Sequence, residues 1–575
     1  MRIDRMERTR PPSRRQGGDD FPRALAGILI FITSSFVSCS PQLYQARADR
    51  EAYTILFEKS DEVENVEPEE LPLVTPAPPD LSKLLPRPQT DDFLGEFTSY
   101  ETGAKLLNLD DSLDKGIHHS REYQSAKEGL FLAALDLTLA RHRLAPIFDA
   151  DGTVTRASDS RAFQLEEGMT EIVATNTFSR TQSAGFNWLL KTGARLSTDF
   201  TQDFLRILTG NRSVNDSDLA VSLVQPLLQG GGSAVTLEAL TQEERNVLYA
   251  LRDFADFRRA FIVDLVSDYY GVLRARDLVK NNFVAYQGFV KNVEREEALA
   301  DEDRRTQNQL GRLRQAKLQS ESRWIDAIRV YLARLDEFKI TLGIPVDSKI
   351  ILDDRELQKL RIEEPGISLE QAVSVALVSR PDLATASDQV ADAERRTKVA
   401  KNGLLPKLDV ALDYNARSDP NDTTPAINRE RRRWSGSLDL DLPLDRKSER
   451  NIYRETLIEV DRAKRAEELA RDRARLQLYD SWRALEQERL SFAIAEQGVA
   501  LATRRLEEQQ LLGELGRGEA RDLVDAQEDL VDAQNQRTAT LIDHTLARLR
   551  LWRDMGILYI KPDGSWAEKL ENESR

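Results

Sequence analysis

Leu109-Asp110-Asp111-Ser112-Leu113 through Gly116-Ile117 recurs 260 residues later as Leu369-Glu370-Gln371-Ala372-Val373 through Ala376-Leu377. At the same offset Leu144-Ala145-Pro146 returns as Leu404-Leu405-Pro406, and Asp149 as Asp409. Further along, Leu223-Val224-Gln225-Pro226-Leu227 matches Leu440-Asp441-Leu442-Pro443-Leu444 at an offset of 217. Leu310-Gly311-Arg312 then matches Leu515-Gly516-Arg517 at 205, and Leu342-Gly343-Ile344 matches Met555-Gly556-Ile557 at 213. A series that keeps its order makes the chain two copies of one unit, and every other reading has to respect that. The fall from 260 to 217 places about 43 extra residues between the two prolines of the first copy.

Each copy reads as helix, two strands, long helix, returning helix. From Leu369 to Asn402 apolar residues recur at three and four, and Pro406 closes the helix. Leu408, Val410, Leu412 and Tyr414 then alternate with Asp409, Ala411 and Asp413, the pattern of a strand with one apolar and one polar face. Residues 437–442 alternate in the same way after a polar turn, and put Asp439 and Asp441 on the polar side. In the first copy Leu196, Thr198 and Phe200 face away from Arg195, Ser197 and Asp199, with Leu219, Val221 and Leu223 forming the second strand of that hairpin. The expectation is therefore one hairpin per copy and four strands per chain. Four strands cannot close a barrel, whereas three chains would supply twelve.

From Arg446 to Leu512 no proline occurs and Gly498 is the one glycine, so a continuous helix there would span on the order of 100 Å. Leu478, Leu485, Phe492, Val499 and Leu506 fall every seven residues, the period of coiled-coil packing. Gly513 and Gly516 interrupt it, and a return helix runs from Glu519 to Met555. The partner in the first copy runs from about Ser233 through a turn near Gly311 to Leu342.

The amino terminus sets the compartment. Residues 1–23 carry seven Arg against four acids, and Ala24 to Val37 form an apolar run too short to span a bilayer but suited to a secretory signal. The run ends at Ser38-Cys39, and Cys39 is the chain's single cysteine. The placement resembles a bacterial lipoprotein signal, which implies that Cys39 is the lipid anchor and the first mature residue. No later stretch reaches 18 apolar residues, so any membrane crossing must be made by β-strands. Residues 61–92 are acidic and proline-rich and read as an extended strap. The expected division is 1–38 signal peptide, 39–104 anchor and strap, 105–345 first repeat, 346–366 linker, 367–560 second repeat and 561–575 tail.

A net charge of −16, with 97 acids against 81 basic residues, excludes a nucleic-acid binder. A single Cys and four scattered His give no metal motif, no catalytic Cys/His pair is present, and no G-x-S-x-G or P-loop occurs. No enzyme, cofactor or metal is expected.

These residues together resemble the TolC-type outer-membrane efflux proteins. The likeness is carried by the paired helix starts, the helix-to-strand prolines Pro146 and Pro406, the strand-to-helix prolines Pro226 and Pro443, the run Gly230–Gly232, and Gly516 followed by Asp522-Leu523-Val524-Asp525-Ala526-Gln527. It extends over about residues 105–560. The fold it implies is mainly α with a small β part: a homotrimer whose twelve-stranded β-barrel in the outer membrane continues as a twelve-helix periplasmic α-barrel. The partners it implies are the chain itself, outer-membrane lipid, a periplasmic adaptor and an inner-membrane pump. Asp522 and Asp525 would ring the periplasmic constriction, Gly311 and Gly516 would turn the helix hairpins at that tip, and Asp409, Asp413, Asp439 and Asp441 would line the barrel lumen. A ring of Asp attracts cations and gates by mutual repulsion or bound ions. The same 3-4-3 spacing of Asp522, Asp525, Asp529 and Asp532 also describes one solvated helix face. The competing class is an exported coiled-coil lipoprotein without a pore.

Overall fold

The computed structural model describes residues 40–67, 73, 77–87, 92–164, 170–209, 212–301, 307–419, 426–515 and 517–568. Cys39 and the signal segment lie outside them. In chain order the main elements are helix α1 (Pro41–Ser60), strand β1 (Lys105–Leu107), helices α2 (Leu109–His119) and α3 (Arg121–His142), strands β2 (Ile147–Gln164), β3 (Thr170–Leu189), β4 (Arg195–Ile207) and β5 (Arg212–Pro226), and helices α4 (Glu238–Asp301) and α5 (Gln307–Thr341). The second copy follows with β6 (Ile350–Leu352), α6 (Leu369–Ser379), α7 (Pro381–Gly403), β7 (Lys407–Ser418), β8 (Ile427–Asp441), α8 (Lys447–Glu514) and α9 (Ala520–Asp554), and the chain closes on the hairpin β9 (Leu558–Ile560) and β10 (Trp566–Glu568). Among the described residues no helix is long and apolar enough to cross a membrane.

The duplication is visible in matched local chemistry. Asn108 caps α2 by accepting from Asp111 N at 2.6 Å, and Ser368 caps α6 in a reciprocal capping box with Gln371. At the far end of each copy a glycine with positive φ ends the return helix, Gly343 at 70° and Gly556 at 79°. A Cβ on Gly343 would stand 2.1 Å from the His119 carbonyl, and one on Gly556 would stand 3.0 Å from that of Ser379. Both glycines thus let the return helix close onto the end of the short helix that opened its own copy. The two short strands that precede those opening helices pair with each other in parallel, Lys105↔Ile350 through Leu107↔Leu352.

α4 packs on α3, α7 and α9, while α8 packs on α6, α7 and α9. Leu478, Leu485 and Leu506 of the seven-residue series are buried, and Phe492 and Val499 are half-buried. The main core lies where α1–α5 and the β1–β6 pair meet. Among its charged members, Arg276 and Glu101 are almost fully enclosed.

Three expectations need correction. The sheet has six strands, in the order β2-β3-β4-β5-β7-β8, and not four. The 43 extra residues of the first copy supply a further antiparallel hairpin, so three copies carry more strands than the twelve expected. Its alternation was diluted: Phe148, Ala150, Gly152 and Val154 share a face with Gln182 and Arg180, too few large apolar groups to read as a strand pair. Gly311 is not at a turn but inside the first turns of α5, where a helix interior accommodates glycine at a cost of about 1 kcal/mol. α4 is described to Asp301 and α5 from Gln307; residues 302–306 between them, like Gly516 between α8 and α9, lie outside the described residues. Finally, residues 61–67 are not a bare strap, because Val63 and Val66 are buried, the Asn65 carbonyl accepts from Arg258 at 2.8 Å and Asn65 Oδ1 accepts from Ile560 N at 3.1 Å. The 20-residue helix α1 before them buries Ala52, Ile55 and Leu56 against α3 and α4.

Candidate channel surfaces

Strands expose alternate residues on opposite faces, so the register sorts the whole sheet. On one face stand Phe148 and Val154 of β2, Phe186 and Trp188 of β3, Leu196 and Phe200 of β4, Leu219, Val221 and Leu223 of β5, Leu408 to Tyr414 of β7 and Trp434 to Leu440 of β8, taken at alternate positions. Tyr414 is directly opposite Trp434, and Trp188 donates from Nε1 to the Leu144 carbonyl at 3.0 Å at the helix-proximal end of the sheet. Large apolar groups here are open to solvent in the single chain: Trp434 is 78% exposed and Leu438 67%. A face of this kind needs a cover of lipid or protein.

The opposite face carries the acids. Asp409 and Asp439 stand opposite one another, Lys407 faces Asp441, and Asp413 faces Ser222. All four aspartates singled out from the sequence therefore lie on the polar face. Sequence reasoning missed further members: Asp149 and Asp151 of β2, Asp203 of β4, and Asp216 and Asp218 of β5 share it. The period-2 alternation of β4 and β5 could have found the last three. Most of these carboxylates are held by neighbours. Ser183 Oγ donates to Asp151 at 2.7 Å, Thr181 Oγ1 to Asp203 at 2.6 Å, Ser222 Oγ to Asp413 at 2.7 Å, and Arg417 Nε to Asp218 at 2.8 Å. Directly opposed acids such as Asp409 and Asp439 are unfavourable unless water and counter-ions reach them. This face is built for a hydrated space.

The prolines mark where sheet meets helices. Pro146 and Pro406 lie immediately before β2 and β7, Pro226 ends β5, and Pro443 lies between β8 and α8. Proline cannot donate to a ladder or continue a helix, so it is placed where both stop. The run Gly230–Gly232 forms a knuckle at this level. Gly230 N donates to Asn402 Oδ1 at 2.7 Å, and Gly232 N donates to the Thr192 carbonyl at 3.0 Å. Thr192 belongs to the Leu190–Ala194 turn that joins the additional hairpin to β4, so that connection is docked on the junction. Gly193, with φ 90°, would place a Cβ 2.8 Å from the Gly230 carbonyl.

At the other end of the helices Asp522 is exposed and Asp525 is half-buried, flanked by the buried Leu523 and Ala526. Asp525 pairs with Arg521 at 3.7 Å. Of the residues at the corresponding place in the first copy, Lys317 and Ser320, the serine is buried. At these two positions the acids thus come from the second copy, while the first copy brings Glu297, paired with Arg314, to the same end. Among the described residues no cluster of His, Cys, Asp and Glu could hold a metal ion.

Residues 372–556 match the family described as outer membrane efflux protein. Among curated proteins nothing matches. Among solved structures, the Campylobacter jejuni CmeC outer membrane channel is 14% identical with a TM-score of 0.56, covering 81% of this chain and 87% of its own. VceC, an outer membrane protein of Vibrio cholerae, is 12% identical with a TM-score of 0.55, covering 78% of this chain and 96% of its own. The open state of the Neisseria gonorrhoeae MtrE outer membrane channel is 12% identical with a TM-score of 0.55, covering 78% of this chain and 88% of its own. The mainly helical, duplicated fold is shared with these channels across most of the chain, and the resemblance read from the sequence to the outer-membrane efflux proteins is borne out.

Proposed function

We propose that the chain is the exit duct of an export system in the outer membrane, passing substrates that an inner-membrane pump delivers through a periplasmic adaptor. Three copies assemble around one axis, the apolar sheet face meets lipid and the aspartate face lines water. The helices continue the tube into the periplasm, and Cys39 carries the lipid that holds the amino terminus at the membrane. Six carboxylates, Asp522 and Asp525 from each copy, ring the narrow end. The duct is passive and does no bond chemistry.

One observation carries this reading: a single sheet presents Phe148, Phe200, Leu412 and Leu438 on one side and Asp151, Asp218, Asp413 and Asp439 on the other, and both sides are open in the single chain. Outer-membrane strands alternate in this way, apolar outward and polar inward. The trimer draws further support from α8, where Leu469, Leu476, Leu490, Ile494 and Leu501 remain exposed in the single chain and so offer apolar surface to a neighbouring copy.

Purified full-length protein in detergent tests it. A heat-sensitive trimer with substantial β signal and ion conductance in planar bilayers is expected. A soluble particle without conductance, formed from the lipid-free chain, would instead identify a pore-free coiled-coil lipoprotein.

A further inference from the structure

We infer that three copies close an eighteen-stranded barrel, with β8 of each copy pairing antiparallel to β2 of the next; this rests on the trimeric channel reading above. The six strands form an unbroken antiparallel meander in which β2 and β8 are the two edges. β2 leaves the helical end and β8 returns to it, so β8 meets the next copy's β2 antiparallel without any crossover. Their lengths, 18 and 15 residues, suit one another. An unpaired edge strand of this length is a template for another chain, and no element among the described residues covers either edge.

The register makes the closure quantitative. The hydrogen-bonding row that starts at Ile147 runs through Asn187, Ser197, Ser222 and Asp413 and reaches β8 at Ser435. Ser435 stands six residues above Asp441, the helix-proximal end of β8. If the bases of β8 and the next β2 are level, as their neighbouring prolines Pro443 and Pro146 indicate, Ser435 faces Thr153 and the row climbs six residues per copy. Three copies then give a shear equal to the strand number. With ordinary strand spacing and rise, that shear corresponds to a tilt of about 35°, within the range of closed barrels.

The same alignment sets Leu440 against Phe148, Leu438 against Ala150 and Trp434 against Val154 on the apolar face. On the polar face it sets Arg429 against Asp159. It makes two like-charged rows, Arg432 against Arg156 toward the far end of the strands and Asp439 against Asp149 near the base, and the latter repeats what the chain already tolerates between Asp409 and Asp439. The backbone diameter would be about 34 Å, against about 23 Å for twelve strands at the same tilt. The membrane part of the duct is therefore wide enough for bulky cargo, and the exclusion of solutes falls to the helical end.

Cysteine pairs in the full chain test the closure, with single-cysteine parents controlling for Cys39. Under oxidation in membranes, Ser435→Cys combined with Thr153→Cys should move most of the monomer band to covalent dimer and trimer. Ser435→Cys combined with Thr201→Cys should not, because Thr201 lies in the interior strand β4. Crosslinking through Thr201 would mean that β8 closes on β4 and the barrel has twelve strands. Intact trimers without a crosslink through Thr153 overturn the eighteen-stranded closure whatever the second pair gives. A protein that is monomeric in mild detergent overturns the trimer itself, a different failure.

Discussion

Arg276 lays its guanidinium on the Glu101 carboxylate, Nε on Oε1 at 2.9 Å and Nη2 on Oε2 at 3.0 Å, with both side chains only 3% and 2% exposed. Tyr331 donates to the same carboxylate at 2.8 Å, Arg87 approaches at 3.1 Å, and Asp354 bonds Arg276 Nη1. The network joins the segment before the first repeat, α4, α5 and the inter-repeat linker. Burial alone would lower the Arg276 pKa, but the Glu101 hydrogen bonds and the Asp354 charge outweigh it and hold the group protonated. Glu101→Ala removes the buried partner of Arg276, leaving it the more exposed Asp354, and should cost about 3 kcal/mol, read as a lowered urea midpoint of the detergent-solubilised protein. Glu101→Gln, which keeps part of the hydrogen bonding, should cost less.

Gly556→Ala should destabilise by about 1–3 kcal/mol, because a Cβ is strained at positive φ and also meets the Ser379 carbonyl. Gly498 offers the contrast: it sits inside α8 with open space where a Cβ would go. Gly498→Ala should raise stability by about 0.5–1 kcal/mol. Thermal unfolding of the two variants side by side checks the sign of each.

His544 is 1% exposed, and Nδ1 has no hydrogen-bond partner among the described residues. Burial, followed by the nearby charges of Arg548 and Arg489, pushes its pKa below 6.5. A histidine depressed in this way favours the folded state while neutral. Its contribution is complete above the unfolded pKa and falls away as pH drops through about 6.5 toward the folded value. His544→Leu should flatten the decline in melting temperature between pH 7 and 5, measured against the parent in the same detergent.

Asp522→Ala together with Asp525→Ala should raise single-channel conductance and weaken block by divalent cations. Unchanged conductance would remove these carboxylates from the aperture and leave the fold untouched.

Leu438→Arg places a cation on the apolar face and should cost about 2–4 kcal/mol if that position lies near the bilayer midplane. Ser437→Arg, one residue away on the polar face, should assemble normally and change ion selectivity instead. Heat-modifiable trimer yield in membranes separates the two. Equal behaviour would mean that the sheet does not sit in lipid.

The sequence made the helical part legible because its signals are local: the three-and-four spacing from Leu369 to Asn402, Pro406 at its end, and apolar residues at sevens along α8 depend on neighbours a turn or two away. The aspartates at 409, 413, 439 and 441 were readable for the same reason, since alternation in β7 and β8 is strong. The additional hairpin was not, because Gly152, Gln182 and Arg180 interrupt its apolar face and pairing partners such as Val154 and Arg180 lie 26 residues apart. Gly311 misled because a repeated Leu-Gly-Arg triplet preserves sequence, whereas α5 has already begun at Gln307. The burial of Glu101 was invisible, as its partners come from residues up to 230 positions away.

The Leu190–Ala194 turn bears on how such a molecule can change over time. A whole up-and-down excursion leaves the chain arriving at Pro226 with the heading it would have had without the excursion, so α4 starts in the same place and direction. In the three-copy barrel proposed above, growth of the ring would therefore come in steps of two strands per copy, six around the axis, with no compensating change demanded of the shaft beneath. On that reading, circumference at one end can change without diameter at the other, and the glycine knuckle that seats Thr192 is the joint that separates them.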